Sequence, residues 1–245
     1  AVIYAGAGGS IKIGNGADIQ NTAVSGGYQY YHRGLQATGG GSISLGDDCS
    51  VVTKGISGTS SDTNHGIVAG ELSYGGTAGT VVINDRLKVD VEGIHSYALA
   101  SYGAGSVLKA GDEAEIISRG NNGYTLMAAE GAELEIGKNS TIKSLGSVSA
   151  HIVNAQSNSV VRIGDDSVLS SVGDSTLGIS SHGGAKVYVG DGVSLSSSGT
   201  IAYGMQSDGT GTEIVAGDGF SFNSTGDRAR GAQTRRGGSI SFGGD

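Results

Sequence analysis

Residues 184–199, GAKVYVGDGVSLSSSG, alternate apolar and polar side chains with period two on either side of a Gly-Asp-Gly tripeptide. The alternation predicts two short strands, 186–189 and 193–197, with Val187 and Val189 on one face of the first and Val193, Leu195 and Ser197 on one face of the second. The tripeptide predicts the turn between them. The same pattern returns with its turn residue at Gly14, Gly46, Asn84, Gly111, Gly137, Gly164, Gly190, Gly217 and Gly243. The spacings are 32, 38, 27, 26, 27, 26, 27 and 26 residues, so the later units keep a period of 26 to 27. A period that regular marks a repeat architecture.

Columns emerge when the units are aligned on that turn. Three residues before it stand Ile11, Ile43, Val81, Leu108, Leu134, Val161, Val187, Ile214 and Ile240, all apolar. Five residues after it come Ile19, Val51, Val89, Ile116, Ile142, Leu169, Leu195 and Phe222. Two further on, Asn21, Thr53, Val91, Ser118, Ser144, Ser171, Ser197 and Ser224 form a mostly hydroxylated column. An upstream segment contributes Ile3, Leu35, Val68, Leu99, Leu126, Val153, Ile179, Met205 and Ala232, giving three short strands per unit.

Short strands, tight turns and no helical periodicity predict an all-β, right-handed, single-stranded parallel β-helix of about nine coils of about 27 residues, each strand pairing with its equivalents one coil above and below at about 4.8 Å. A β-propeller blade needs about 40 or more residues, which the period does not supply. Stacked serines are expected to hydrogen-bond along the axis, and the turn glycine to permit positive φ or close approach of neighbouring coils. The chain is treated as one unit, residues 1–245, with irregular coils over 1–96 and regular ones over 97–245. The irregularity lies in insertions at 23–33 and 55–65 and in the segment 70–80.

Composition agrees with that reading. The 245 residues include 47 glycines and no proline, and proline would delete a ladder donor in strands paired on both sides. A net charge of −8 gives no general attraction to nucleic acid or anionic membrane. The single cysteine, Cys49, shares a column with Ala17, Leu87 and Val193 and is expected to be a small buried apolar side chain. No apolar run approaches the roughly 20 residues of a membrane-spanning helix. The chain opens at Ala1 and stops beside a turn glycine, which is read as a piece of something longer.

The units 226–245 (GDRARGAQTRRGGSISFGGD), 34–48 (GLQATGGGSISLGDD) and 178–192 (GISSHGGAKVYVGDG) resemble the coil repeats of autotransporter passenger domains of Gram-negative bacteria, of the pertactin and AIDA-like type. The resemblance runs over essentially the whole chain and marks an architecture more firmly than an activity. It implies an extracellular or cell-surface β-helix, held to the outer membrane by a C-terminal barrel outside this sequence.

Candidate chemistry is sparse. Asp47, Asp85, Asp112, Asp165, Asp191 and Asp218 follow the turn residue and could recruit calcium as a stacked column, but aspartate beside glycine is the ordinary turn pair and that is the expectation. No metal or cofactor is expected. Ser61, Asp62 and His65 hold the residue types of a hydrolase triad, yet lie too close in one stretch to adopt its geometry and read as a polar loop. Polysaccharide-cleaving enzymes of the pectate lyase type share the fold, but need acids and bases converging on one face. The densest aromatic patch, Tyr28, Tyr30, Tyr31, His32 and Arg33, lies in the first insertion and suits either stacking on a sugar or protein partner or sealing the N-terminal coils. Tyr97, Tyr124, His151 and Tyr203 recur before the first strand of successive coils and are expected to pack at a corner, while Arg228, Arg230, Arg235 and Arg236 read as a solvated turn face. The expected function is non-catalytic: adhesion, self-association or host-receptor binding of a virulence type, with a host cell-surface protein or glycan, or a second copy, as partner. The alternatives are a polysaccharide lyase or hydrolase, and an inert stalk carrying an activity elsewhere.

Overall fold

The computed structural model describes residues 1–22, 31–55, 63–73 and 75–243. Among them the chain is all-β, and its strands fall into three parallel sheets. The first sheet runs through nine strands from Ile3–Ala5 to Arg230–Arg235, the second through nine from Ser10–Ile13 to Ser239–Phe242, and the third through eight from Asp18–Thr22 to Ser221–Thr225. Consecutive strands belong to different sheets, and each pairs with its counterparts one coil away. This is a parallel β-helix.

Register follows the sequence period. Leu134 pairs with Val161, Val161 with Val187 and Val187 with Ile214, all in parallel. Side chains of one column therefore stand over one another, and the three inward faces fill a single core that includes Leu35, Val51, Leu108, Leu126, Val187 and Cys49. Each fully buried Leu, Ile or Val contributes roughly 1.5–3 kcal/mol relative to exposure.

One column needs correction. The residue between Leu35 and Leu99 on the inner face is Ile67, not Val68. A slip of one residue moves a side chain to the opposite face of a strand. Two adjacent apolar residues after an insertion gave alternation nothing to choose by.

The serine column is also wired differently from expectation. Ser171 Oγ donates to Ser197 Oγ along the axis at 3.0 Å. Its neighbours bond sideways across the corner: Ser118 with Thr125 at 2.7 Å, Thr53 to the carbonyl of His65 at 3.2 Å, and Ser224 to that of Ala202 at 3.2 Å. The column thus ties the third sheet to the first, Ser118 and Thr53 reaching the strand that follows and Ser224 the strand that precedes.

At the turns, four of the six aspartates accept an amide of the next coil among the described residues. Asp85 Oδ1 accepts the amide of Asp112 at 2.9 Å, Asp112 that of Lys138 at 3.0 Å, Asp165 that of Asp191 at 2.9 Å and Asp191 that of Asp218 at 2.8 Å. Asn15 does the same for Asp47 at 3.0 Å. Where the turn residue is Asn84 instead of glycine, Asp47 instead faces Arg86, at 3.5 Å.

Candidate functional site

The first sheet carries a second packed layer on its outer face. Ala98 and Leu99 are consecutive and both lie in the core, and the pairing register passes from Tyr97 to Leu99 without Ala98. Tyr97 and Tyr124 pair, as do Leu99 and Leu126, and Tyr97, Ala100 and Tyr102 are left on the outside. Val68, Ala100, Met127 and Ala129 form a small apolar cluster on this face, with Leu72 from the irregular segment after Gly70 packed against it.

Beside that cluster runs a stack of rings. His65 lies on Tyr97 with centroids 4.6 Å apart, Tyr97 on Tyr124 at 5.6 Å and Tyr124 on His151 at 5.4 Å, all within 22° of parallel. The rings cover one another's faces, so the stack is mainly packing, as the sequence expectation for Tyr97, Tyr124 and His151 had it. Tyr203 stands apart because Leu177 takes its register neighbour's place, and Arg230 lies over its ring at 5.3 Å. His65 joins the stack although sequence reasoning placed it in a polar loop. Once Ile67 is assigned to the inner column, His65 falls two residues before it, as Tyr97 does before Leu99, and that offset was the missing signal.

Both stacked histidines do a backbone job. His65 Nδ1 accepts the amide of Tyr97 at 3.2 Å, and His151 Nδ1 accepts that of Leu177 at 2.8 Å. Only a neutral imidazole can accept. Burial, assisted by the Arg33 charge, lowers His65 to about 3. Burial, assisted by His182, lowers His151 to about 4.

Of the aromatic patch in the first insertion, Tyr28 and Tyr30 lie outside the described residues, and so does the side chain of Tyr31. His32 and Arg33 are not in an inserted loop. They belong to the strand Tyr31–Ala37, paired with Asn64 and His65, because the strand after the second insertion begins early enough to hold them. Of the hydrolase-like trio, Ser61 and Asp62 fall outside the described residues and His65 is stacked and buried. Among the described residues no group of three or more His, Cys, Asp or Glu side chains could hold a metal ion. In the arginine-rich end, Arg236 donates two bonds to Asp208, at 2.6 and 2.5 Å, and holds its carboxyl below the usual range.

At the N-terminal end of the same outer face a cavity of about 380 Å³ opens between Tyr4, Arg33, Gln36, Thr38, Glu71 and Thr77. Gln36 is its buried floor: its Oε1 accepts from Arg33 Nη1 at 2.5 Å and its Nε2 donates to the Gly70 carbonyl at 3.3 Å. Thr38 and Thr77 share a hydroxyl contact of 2.7 Å. Tyr4 pairs in register with Gln36, so one wall comes from the first coil, the floor from the second, and the other wall from Glu71, Leu72, Ser73 and Thr77 of the third. Comparison of the chain with protein-family models, with curated proteins and with solved structures returns no significant match.

Proposed function

We propose that this chain is a non-catalytic rod, secreted or displayed at a bacterial surface, that acts by adhesion to a host cell-surface glycan or protein or by self-association. The observation that carries the reading is the use of the turn carboxylates. Asp85, Asp112, Asp165 and Asp191 each accept a backbone amide of the next coil, so the most numerous acids in the repeat serve to lock coils together. The resemblance of the repeats to autotransporter passenger coils supports the same reading. A stiff solenoid presents equivalent positions at regular intervals, and many weak contacts along it raise apparent affinity by multivalency.

The test is direct. Labelled rod is applied to cultured epithelial cells and, separately, sedimented over a concentration series. Saturable cell binding or concentration-dependent association is expected. A monomer that binds no cells, or turnover in a screen of acidic polysaccharides, overturns the proposal.

A further inference from the structure

The cavity between Tyr4, Gln36 and Glu71 has the chemistry of a sugar site, and we propose that it binds a neutral hexose unit, such as the terminal residue of a glycan. The proposal rests on the adhesion reading and gives it a place on the rod.

Size comes first. At about 380 Å³ the cavity lies at the lower end of the roughly 300–1,000 Å³ of small-molecule sites, room for one or two pyranose rings. An aromatic platform is already in place. Tyr4 is 57% exposed, and its ring rests against Gly6, where an added Cβ would meet it at 2.8 Å. A ring braced by backbone offers its apolar surface to the C–H face of a sugar at little entropic cost. Hydrogen-bonding groups surround it at three depths: the Gln36 amide at the floor, the paired hydroxyls of Thr38 and Thr77 along the side, and the exposed carboxylate of Glu71 at the rim. A carboxylate accepting from two vicinal hydroxyls makes charge-assisted bonds, which are stronger than neutral ones.

Charge selects among sugars. Glu71 and Arg33 cancel within the cavity, and the chain as a whole carries −8. A sialic acid, a uronic acid or a sulfated sugar would meet the Glu71 carboxylate with no net attraction to offset it. A neutral hexose meets no such opposition.

The experiment titrates the intact chain, by saturation-transfer NMR and calorimetry, with the methyl glycosides of glucose, galactose and mannose, and with N-acetylneuraminic and glucuronic acids. Tyr4→Ala and Glu71→Gln are made in parallel, and unchanged circular dichroism and thermal midpoint establish that these exposed changes leave the fold intact. At least one neutral glycoside is expected to saturate, and each variant to weaken it about tenfold, the equivalent of about 1.4 kcal/mol. No binding of any neutral glycoside at about 10 mM, preference for the acidic sugars, or binding indifferent to both variants would overturn the site. Cell adhesion without glycoside binding rejects the sugar site and leaves the adhesion reading standing. Glycoside binding by a rod that neither adheres nor self-associates rejects the adhesion reading and leaves the site standing.

Discussion

A Cβ placed on Gly217 would lie 2.3 Å from Asp191 Oδ1, the oxygen that accepts the amide of Asp218 at 2.8 Å. The two residues form one device: the aspartate of one coil folds its carboxylate over the turn of the next, and only glycine leaves room for it. The same clash arises at Gly111 over Asp85, Gly137 over Asp112 and Gly190 over Asp165, at 2.2 to 2.4 Å. Left-handed backbone falls elsewhere in the turn, two residues later, at Gly219 (φ 66°), Glu113 (φ 59°) and Asp166 (φ 55°). Of the two reasons expected for the turn glycine, close approach is the one that operates.

Gly217→Ala must therefore expel the Asp191 carboxylate and press on the backbone of Gly190 and Asp191, 2.8 Å from the added Cβ, and is expected to cost about 3 kcal/mol, while Asp191→Ala forfeits the bond alone, about 1 kcal/mol. The double variant should cost less than the sum, because the alanine methyl at 217 no longer meets an oxygen. Urea midpoints of the four proteins measure the coupling, and strict additivity would refute the device.

Acid should loosen the stacked face. His65 and His151 have folded-state values of about 3 and about 4, below the usual 6.5 of a free imidazole. As pH falls below 6.5 the unfolded chain takes up protons that the folded chain refuses, so stability present at neutral pH is lost on acidification. Each histidine contributes a slope of up to about 1.4 kcal/mol per pH unit, over 6.5 to about 4 for His151 and on to about 3 for His65. His65→Asn and His151→Asn keep a side-chain acceptor without the proton uptake. Urea midpoints between pH 7 and pH 4.5 should fall steeply for the parent chain and flatten in the double variant; parallel curves would show that these imidazoles do not govern acid stability.

Ile67 and Val68 show where sequence reading succeeds and where it stops. The inner columns were legible wherever the 26 to 27 residue period held, because alternation and spacing fix the inward face independently. Before Ile67 the spacing is broken by an insertion, and both neighbours are apolar, so the wrong one was placed inside and His65 lost its aromatic column with it. The direction of the serine bonds was hidden for another reason: a column of hydroxyls specifies stacking but not whether the better partner lies above or beside, and Thr125 and Thr176 lie beside. The cavity was illegible since Tyr4, Gln36 and Glu71 come from three different coils, and the positions of Glu71 and Thr77 fall outside the repeat and have no period to read.

The corrected register makes its own prediction. The column of Val68 also holds Asn154, Ser180 and Gln206, whereas the column of Ile67 is apolar throughout the stack. Val68→Asn should fold with a loss of about 1–2 kcal/mol, and Ile67→Asn, which buries an amide in the core, should lose about 3 kcal/mol or more. Equal losses, or the reverse order, would restore the original assignment.

Lys138 is the one described position from 85 to 218 where the acidic turn column is interrupted: it follows Gly137 where the other coils place aspartate, so no carboxylate stands beneath the amide of Asp165. Asn15 demonstrates that an amide oxygen can take that role, since it accepts from Asp47 at 3.0 Å. Lys138→Asn should therefore add an acceptor for Asp165 without adding to the column's negative charge, a gain of about 0.5–1.5 kcal/mol. The substitution also removes the exposed pair of Lys138 with Asp112, 3.9 Å apart, worth about 0–1 kcal/mol. Lys138→Ala removes the pair and adds nothing, so it isolates the acceptor. The asparagine variant is expected to exceed the alanine variant by about 1 kcal/mol in urea unfolding, Gly164 above it carrying no side chain to meet the inserted amide. If asparagine and alanine are equal, the turn aspartates do not hold the coils together through their amide bonds, and the reading of their carboxylates as structural fails with it.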